Sequence, residues 1–237
     1  MSERTGSGSD RHTASAFDHD LGELRGLIAE MGGLAEIALD NARIALVQRD
    51  SKLAARVVEG DRHIDALEAR IGQHIIGLIA RRAPMADDLR EVLAAYRIAG
   101  IIERVGDYSK TIAKRVPLLG SVPLPEPMQM LLDLLTGVRE MLKSALNSFA
   151  ARDSDMAQAV CRRDRDIDEL YNRLFLALLA YMKNERANVS AAAHLMFIAK
   201  SLERVGDQAT NLAELVYFTA SGEQMPDRHG TRPAESG

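Results

Sequence analysis

The sequence predicts an all-α protein made of two pseudo-repeated antiparallel three-helix bundles, and three observations carry that prediction. The long stretches of helical periodicity contain no proline, which a helix interior excludes. Ala, Leu, Ile, Arg and Glu dominate, there is no Trp, and aromatics make up only 4%, a balance that suits helices over strands. Strand-like alternation is missing. Finally, the chain repeats itself. ERVGD stands at 103–107 and again at 203–207, and Ile98-Ala99 before the first copy matches Ile198-Ala199 before the second.

Upstream, RDSKLAARVVEGDRHIDAL (49–67) aligns with RDSDMAQAVCRRDRDIDEL (152–170). Arg49, Asp50, Ser51, Ala54, Val57, Asp61, Arg62, Ile64, Asp65 and Leu67 all have identical partners there. The offset changes by three residues between the two matching blocks, where a loop is expected. Six helices follow, at roughly 17–49, 51–82, 86–116, 127–151, 154–183 and 188–219, several of them ~45 Å long at ~1.5 Å per residue. Pro84 marks one break, and Pro117, Pro123, Pro125 and Pro127 mark the junction between the halves. The expected organisation is a tail over 1–14, a first repeat over 15–117, a Pro-rich linker over 118–126, a second repeat over 127–220 and a tail over 221–237. Both tails are rich in Gly, Ser and charge and are expected to be disordered. Short links between helices imply antiparallel neighbours.

Composition also narrows the function. The net charge of −4 does not favour free nucleic acid as a partner. Apolar blocks approaching the ~20 residues of a membrane span are absent, and MSERTGSGSDRH has no apolar signal core. A lone cysteine, Cys161, leaves no intramolecular disulfide framework; it aligns with Val58 and reads as a small apolar residue. A cytoplasmic protein without membrane insertion fits these features.

Each half carries two acidic pairs at i,i+4: Asp61/Asp65 with Glu103/Asp107, and Asp164/Asp168 with Glu203/Asp207. That spacing puts both carboxylates of a pair on one helix face. If helices 2 and 3 of a half pack side by side, four carboxylates converge, and they repel unless a cation or a proton joins them. All-oxygen ligation suits hard cations such as magnesium, manganese or iron, with zinc also admissible. The apolar stripe of helix 2 runs through Leu53, Val57, Ile64, Leu67, Ile71 and Leu78, which places Asp61 and Asp65 on its flank. In helix 3, Ile98, Ile101, Val105 and Ile112 lie opposite Glu103 and Asp107. The carboxylates are therefore expected to face outward or into a shallow groove. Gly106 and Gly206 offer clearance for close packing or for an ion. The plainer reading is a solvated acidic surface paired with Arg62, Arg104, Arg165 and Arg204. His63, His74 and His194 are isolated, the Glu-x-x-His of di-iron bundles is missing, and no nucleophile–base set stands out.

The segments EGDRHIDALE, IARRAPMADDLREVLAAYRIAGIIERVGDYSKTIAKR and AKSLERVGDQATNLAE, with HTASAFDHDLGELRGLIAEMGGLAEIAL upstream, resemble the PhoU family over about 12–219. The resemblance implies two three-helix bundles, surface metal clusters at E/D-x-x-x-D motifs, and a homodimer. It also implies a non-enzymatic adaptor that links the phosphate ABC transporter, through its ATPase subunit, to the phosphate-sensing histidine kinase. Such an adaptor represses the phosphate-starvation response when phosphate is plentiful. The metal motif carries onto Asp61, Asp65, Glu103 and Asp107, and onto Asp164, Asp168, Glu203 and Asp207. In the second half Asn211 and Glu214 extend the same face. In the first half Thr111 and Lys114 stand there, with Lys110 nearby, so the first site is expected to hold fewer ions. Two other readings compete: a helical metal-dependent phosphohydrolase, and a plain helical scaffold.

Overall fold

The computed structural model describes residues 7–120, 127–184 and 189–226. Among them are six α-helices and one short 3-10 turn. In chain order these are α1 (Ser7–Gln48), α2 (Ser51–Arg82), α3 (Ala86–Arg115), the turn Val116–Leu119, α4 (Met128–Ala151), α5 (Ser154–Asn184) and α6 (Val189–Ser221). The expected helices are all present, with one difference at the start. Helix α1 begins at Ser7, inside the stretch read as a tail, and so absorbs residues 7–14. Residues 1–6, most of the Pro-rich linker and residues 227–237 lie outside the described residues.

The RDS sequence repeated at 49–51 and 152–154 has a common structural cause in both places. Arg49 and Arg152 adopt left-handed backbone conformations, with φ of 54° and 53°. The following Asp then caps the next helix. Asp50 Oδ1 accepts from the amides of Lys52 and Leu53, both at 2.9 Å. Asp153 Oδ1 accepts from the amide of Met156 at 2.9 Å. The backbone N–H groups of Asp50 and Asp153 in turn donate to Ala45 and Ser148, each at 3.0 Å. A carboxylate at this position satisfies helix N–H groups that have no intrahelical acceptor. The two halves thus reverse direction by the same device. The α2–α3 break is different: Ala83 takes the left-handed conformation just before Pro84, and α3 restarts at Ala86.

Helices α1, α2 and α3 pack on one another, as do α4, α5 and α6, and the two triplets meet through α3 against α6 and, less extensively, α1 against α4. Equivalent helices of the two repeats therefore face each other. Because α3 and α6 are covered both by their own bundle and by the other, they are apolar on more than one side. Ala95, Ile98, Ala99, Ile102, Val105, Ile112 and Ala113 are buried on α3. Helix α6 also buries Ser201, Gln208 and Thr210. The core is continuous through both bundles. Ion pairs cross the junction: Arg139 of α4 and Arg43 both donate to Asp40 of α1, at 2.9 and 3.0 Å. Glu91 of α3 holds Arg25 at 2.8 Å and Arg152 at 3.3 Å. Half-buried His74 sits 3.1 Å from the carbonyl of Asp20 and ties α2 to α1 as a packing residue.

The caps make a direct test of the repeated turn. Asp50→Ala and Asp153→Ala should each destabilise the protein by about 1 kcal/mol, the usual cost of losing an N-cap carboxylate. The measurement is urea denaturation. An unchanged midpoint in both variants would remove the caps as the reason the RDS sequence is repeated.

Candidate metal centre

The acidic pairs come together because a glycine lets the helices approach. A Cβ placed on Gly106 would lie 2.9 Å from Ile64 Cδ1 and 3.3 Å from Asp61 Oδ1. On Gly206 it would lie 3.4 Å from Ile167 Cγ2. Ile64 and Ile167 are the same position in the repeat, 103 residues apart. The clearance anticipated from the sequence thus serves helix packing at Gly106; at Gly206 a Cβ would meet the equivalent isoleucine only at ordinary van der Waals distance. With α2 drawn onto α3, and α5 onto α6, the carboxylates on their flanks are forced together.

In the second half this produces a cluster. Carboxylate oxygens of Asp168, Glu203 and Asp207 lie within 4.8 Å of one another. Asp164, one turn back on α5, accepts a hydrogen bond from Thr210 Oγ1 at 2.8 Å. Lys200 Nζ donates to Glu203 Oε1 at 2.6 Å. The other oxygen, Glu203 Oε2, is buried and has no hydrogen-bond partner. Burial, then the neighbouring Glu203, Asp164 and Asp168 charges, push Asp207 up from the usual 3.8 to about 6, against an opposing pull from Lys200. Crowded carboxylates with an orphan buried oxygen are a fit for a hard cation, which removes both deficits at once.

The first half carries the same four acidic residues with different neighbours: Gly100, Lys110, Thr111 and Lys114 stand where the second half has Lys200, Thr210, Asn211 and Glu214. Lys110 stands where Thr210 stands in the repeat, 100 residues on. Its ammonium donates to Asp61 Oδ2 at close range and to Asp107 Oδ1 at 3.2 Å. The hydrogen bond to Asp61 is the main reason its pKa is raised. Asp61 does not lie on an open flank, as its place beside the apolar stripe suggests. It is buried, with 4% of its surface exposed, beneath Lys110. A buried carboxylate needs a partner, and here a lysine provides the positive charge. Asp65 stays exposed; burial and the Asp61 charge raise its pKa although Lys110 opposes them. Glu103 is pushed from 4.5 to about 7 by burial and then by the charges of Asp107, Glu68 and Asp65. The first four carboxylates therefore already hold a cation, and the set fits a metal ion less well than its counterpart.

Asn211 and Glu214 are not part of the Asp168–Glu203–Asp207 cluster. They line a cavity of about 850 Å³ between α3 and α6, together with Glu103 and Glu68. Sequence reasoning did not single out Lys200, Thr210 or Gln208. Comparing residues 110 and 210 across the repeat is the signal that finds the Lys-for-Thr exchange.

Comparison with known proteins gives concordant results. A model of the PhoU domain matches residues 28–116 and 131–216. A Zymomonas mobilis protein named phosphate-specific transport system accessory protein PhoU homolog is 51% identical over 217 residues, 92% of each chain. A protein of the same name from Rhizobium meliloti is 41% identical over 228 residues, covering 96% of this chain and 95% of its own. The crystal structure of PhoU from Pseudomonas aeruginosa superposes with a TM-score of 0.84 at 32% identity, over 87% of this chain and 100% of that one. The phosphate transport system regulatory protein PhoU from Streptococcus pneumoniae gives 0.83 at 26% identity, over 89% of this chain and 99% of that one.

The raised carboxyls give the metal-free protein a defined pH dependence. Asp207 titrates near 6 and Glu103 near 7 when folded, against ordinary values of 3.8 and 4.5. Between those limits the folded chain holds more protons than the unfolded one, so stability falls as pH rises through the window. With a chelator present, stability should decline from about pH 4 to about pH 7, and Glu103→Gln combined with Asp207→Asn should flatten the decline. Denaturation at a series of pH values reads this out. The same slope in the double variant would show that other groups set it.

Proposed function

The chain belongs to the PhoU family, and from that premise we propose that it acts as an accessory and regulatory protein of phosphate transport. Its relatives carry that role in their names, and the match runs through nearly the whole of both chains. On this reading the protein works by contact. It connects the ATPase subunit of the phosphate ABC transporter with the phosphate-sensing histidine kinase and represses the starvation response when phosphate is plentiful. It does so in the cytoplasm and as a homodimer. No described helix is long and apolar enough to cross a membrane, in keeping with a partner that docks on a transporter from outside the bilayer.

The observation that supports a contact role best is the contrast between the two acidic sets. In the second half Asp168, Glu203 and Asp207, with Asp164 behind them, would hold a hard cation such as magnesium, manganese or iron. The ion would supply positive charge that binds α5 to α6. In the first half Lys110 does the equivalent work between α2 and α3 with an ammonium. A lysine can replace a metal where the task is to hold helices together, which favours a structural over a catalytic use of these carboxylates. The second set is the stronger metal site for the same reason.

Exchanging the two residues tests the ranking. Thr210→Lys should abolish most metal bound by the protein, and Lys110→Thr should add metal to the first half; both are read by elemental analysis of untagged protein. Retention of metal in Thr210→Lys would contradict the assignment. The functional reading is tested in a strain lacking the gene, with a phosphate-controlled reporter. Wild-type protein should restore repression at high phosphate, and Asp168→Ala should restore it less well, in step with lost metal and weakened binding to the kinase or the transporter ATPase. Phosphate-ester hydrolysis by the purified protein, abolished by Asp168→Ala, would decide for an enzyme instead.

A further inference from the structure

The carboxylate cluster of the second half already touches one cation of the chain itself. Lys200 donates to Glu203 Oε1 at 2.6 Å from three residues back on the same helix. Its ammonium also lies 5.4 Å from the centre of the Tyr171 ring on α5, inside the ~6 Å over which a ring face attracts a cation. Tyr171 packs partly buried against the core, with the Phe175 ring one turn on and 6.2 Å away between centres. Packing thus keeps the ring where Lys200 reaches it. The hydrogen bond to Glu203 is the main reason the Lys200 pKa is raised, and Lys200 in turn pulls Asp207 down against its other neighbours. One ammonium therefore acts on two of the three clustered carboxylates.

The repeat shows that Lys200 and Tyr171 occupy paired positions. Position 200 corresponds to Gly100, and position 171 to Glu68. A Cβ on Gly100 would lie 3.9 Å from Glu68 Oε1, so these positions face each other across α2 and α3 as they do across α5 and α6. The second half has a lysine and an aromatic ring there, and the first half has neither. The first half relies on Lys110, which is held in another way. Lys110 bridges two helices, from Asp107 of α3 to the buried Asp61 of α2, and its side chain is 28% exposed. Withdrawing it leaves Asp61 buried and unpaired, which is strongly unfavourable. Among the described residues Lys200 pairs with one carboxylate, on its own helix, and its side chain is 45% exposed. A partly exposed pair within one helix contributes little, and the ammonium has a ring beside it to move onto. Lys110 is fixed in place, whereas Lys200 is displaceable.

We propose that Lys200 is a placeholder cation for the Asp168–Glu203–Asp207 centre: it neutralises Glu203 while no metal is held, and it yields that oxygen to a divalent ion by moving onto the Tyr171 ring. This rests on the metal reading of the centre given above and adds to it the residue that sets the affinity. Lys200 competes with the ion for Glu203 and so weakens its binding. Tyr171 receives the displaced ammonium and so limits the weakening. The centre then loads and releases an ion without leaving Glu203 bare in between, because one cation replaces the other.

The test is calorimetric titration of the untagged full chain, stripped with a chelator, with manganese(II) chloride. Lys200→Met removes the charge and keeps the length of the side chain. It should bind manganese at least about fivefold more tightly than wild type, the effect of losing one solvent-screened charge beside the ion. Tyr171→Leu should bind at least about twofold more weakly than wild type, the loss of a cation–ring contact. In the Lys200→Met background the same change should have no effect, whereas a ring that only packs would shift both backgrounds alike. Circular dichroism checks the helical fold of each variant. If Lys200→Met does not fold, Lys200→Gln is read in the same way, and if Tyr171→Leu does not fold, the lysine comparison decides alone. Manganese bound by wild type but no more tightly by the folded neutral variant, or a Tyr171→Leu effect that does not depend on the lysine, overturns the proposal and leaves the metal reading standing. No manganese binding by wild type or by either neutral variant overturns both.

Discussion

Helices α3 and α6 pack against each other while each also packs against two partners in its own bundle, and most of what is distinctive in the molecule follows from that double burial. A helix covered on two sides cannot keep a single apolar stripe. It needs small residues where backbones approach and has few positions left for charge. On α6 this forces Ser201, Gln208 and Thr210 inside together with the aliphatic residues. Serine satisfies itself by donating to a carbonyl one turn back, Ser201 to Phe197 at 3.0 Å, and Thr210 donates to Asp164 of α5 at 2.8 Å. Glutamine is too long for that local solution, so Gln208 is left with an open acceptor.

The glycines of the two ERVGD sequences belong to the same constraint. Each faces an isoleucine of the neighbouring helix, Ile64 tightly at Gly106 and Ile167 at ordinary contact distance from Gly206. The contact sets the distance between the helices, and the distance sets how close the carboxylates on their flanks must come. Like charges held this near need either a counter-charge or protons. The two repeats meet that need differently. One uses Lys110, whose ammonium sits on the buried Asp61. The other has only a hydroxyl at the same place, which donates to Asp164, and there Lys200 pairs with Glu203 from within its own helix. A few substitutions between the repeats divide the two sites in this way, because the packing that creates the crowding is common to both.

The same logic gives the repeat junction its asymmetry. Side chains that meet across α3 and α6 do not meet their own copies, so the two sides of the pseudo-two-fold axis evolve separately. Arginine on phenylalanine fills one side, and the other retains a cavity bordered by glutamates below and arginines above.

The amino-acid sequence by itself determined the six helices, their boundaries to within a few residues apart from the start of α1, the duplication and the membership of the carboxylates in two sets. It could do so because helical period, proline placement and residue identity across the repeat are local properties, written within each segment. The RDS repeat at 49–51 and 152–154 was legible in the same way, although its role as an Asp-capped turn came from the structure. Tertiary structure decided which of those carboxylates is buried, that Asn211 and Glu214 line the α3–α6 cavity, and that Lys110 reaches both Asp61 and Asp107. Those outcomes depend on the relative rotation and spacing of helices distant in the chain. Nothing in the periodicity of α2 or α6 alone carries that information, since the same flank position is solvent beside one neighbour and interior beside another.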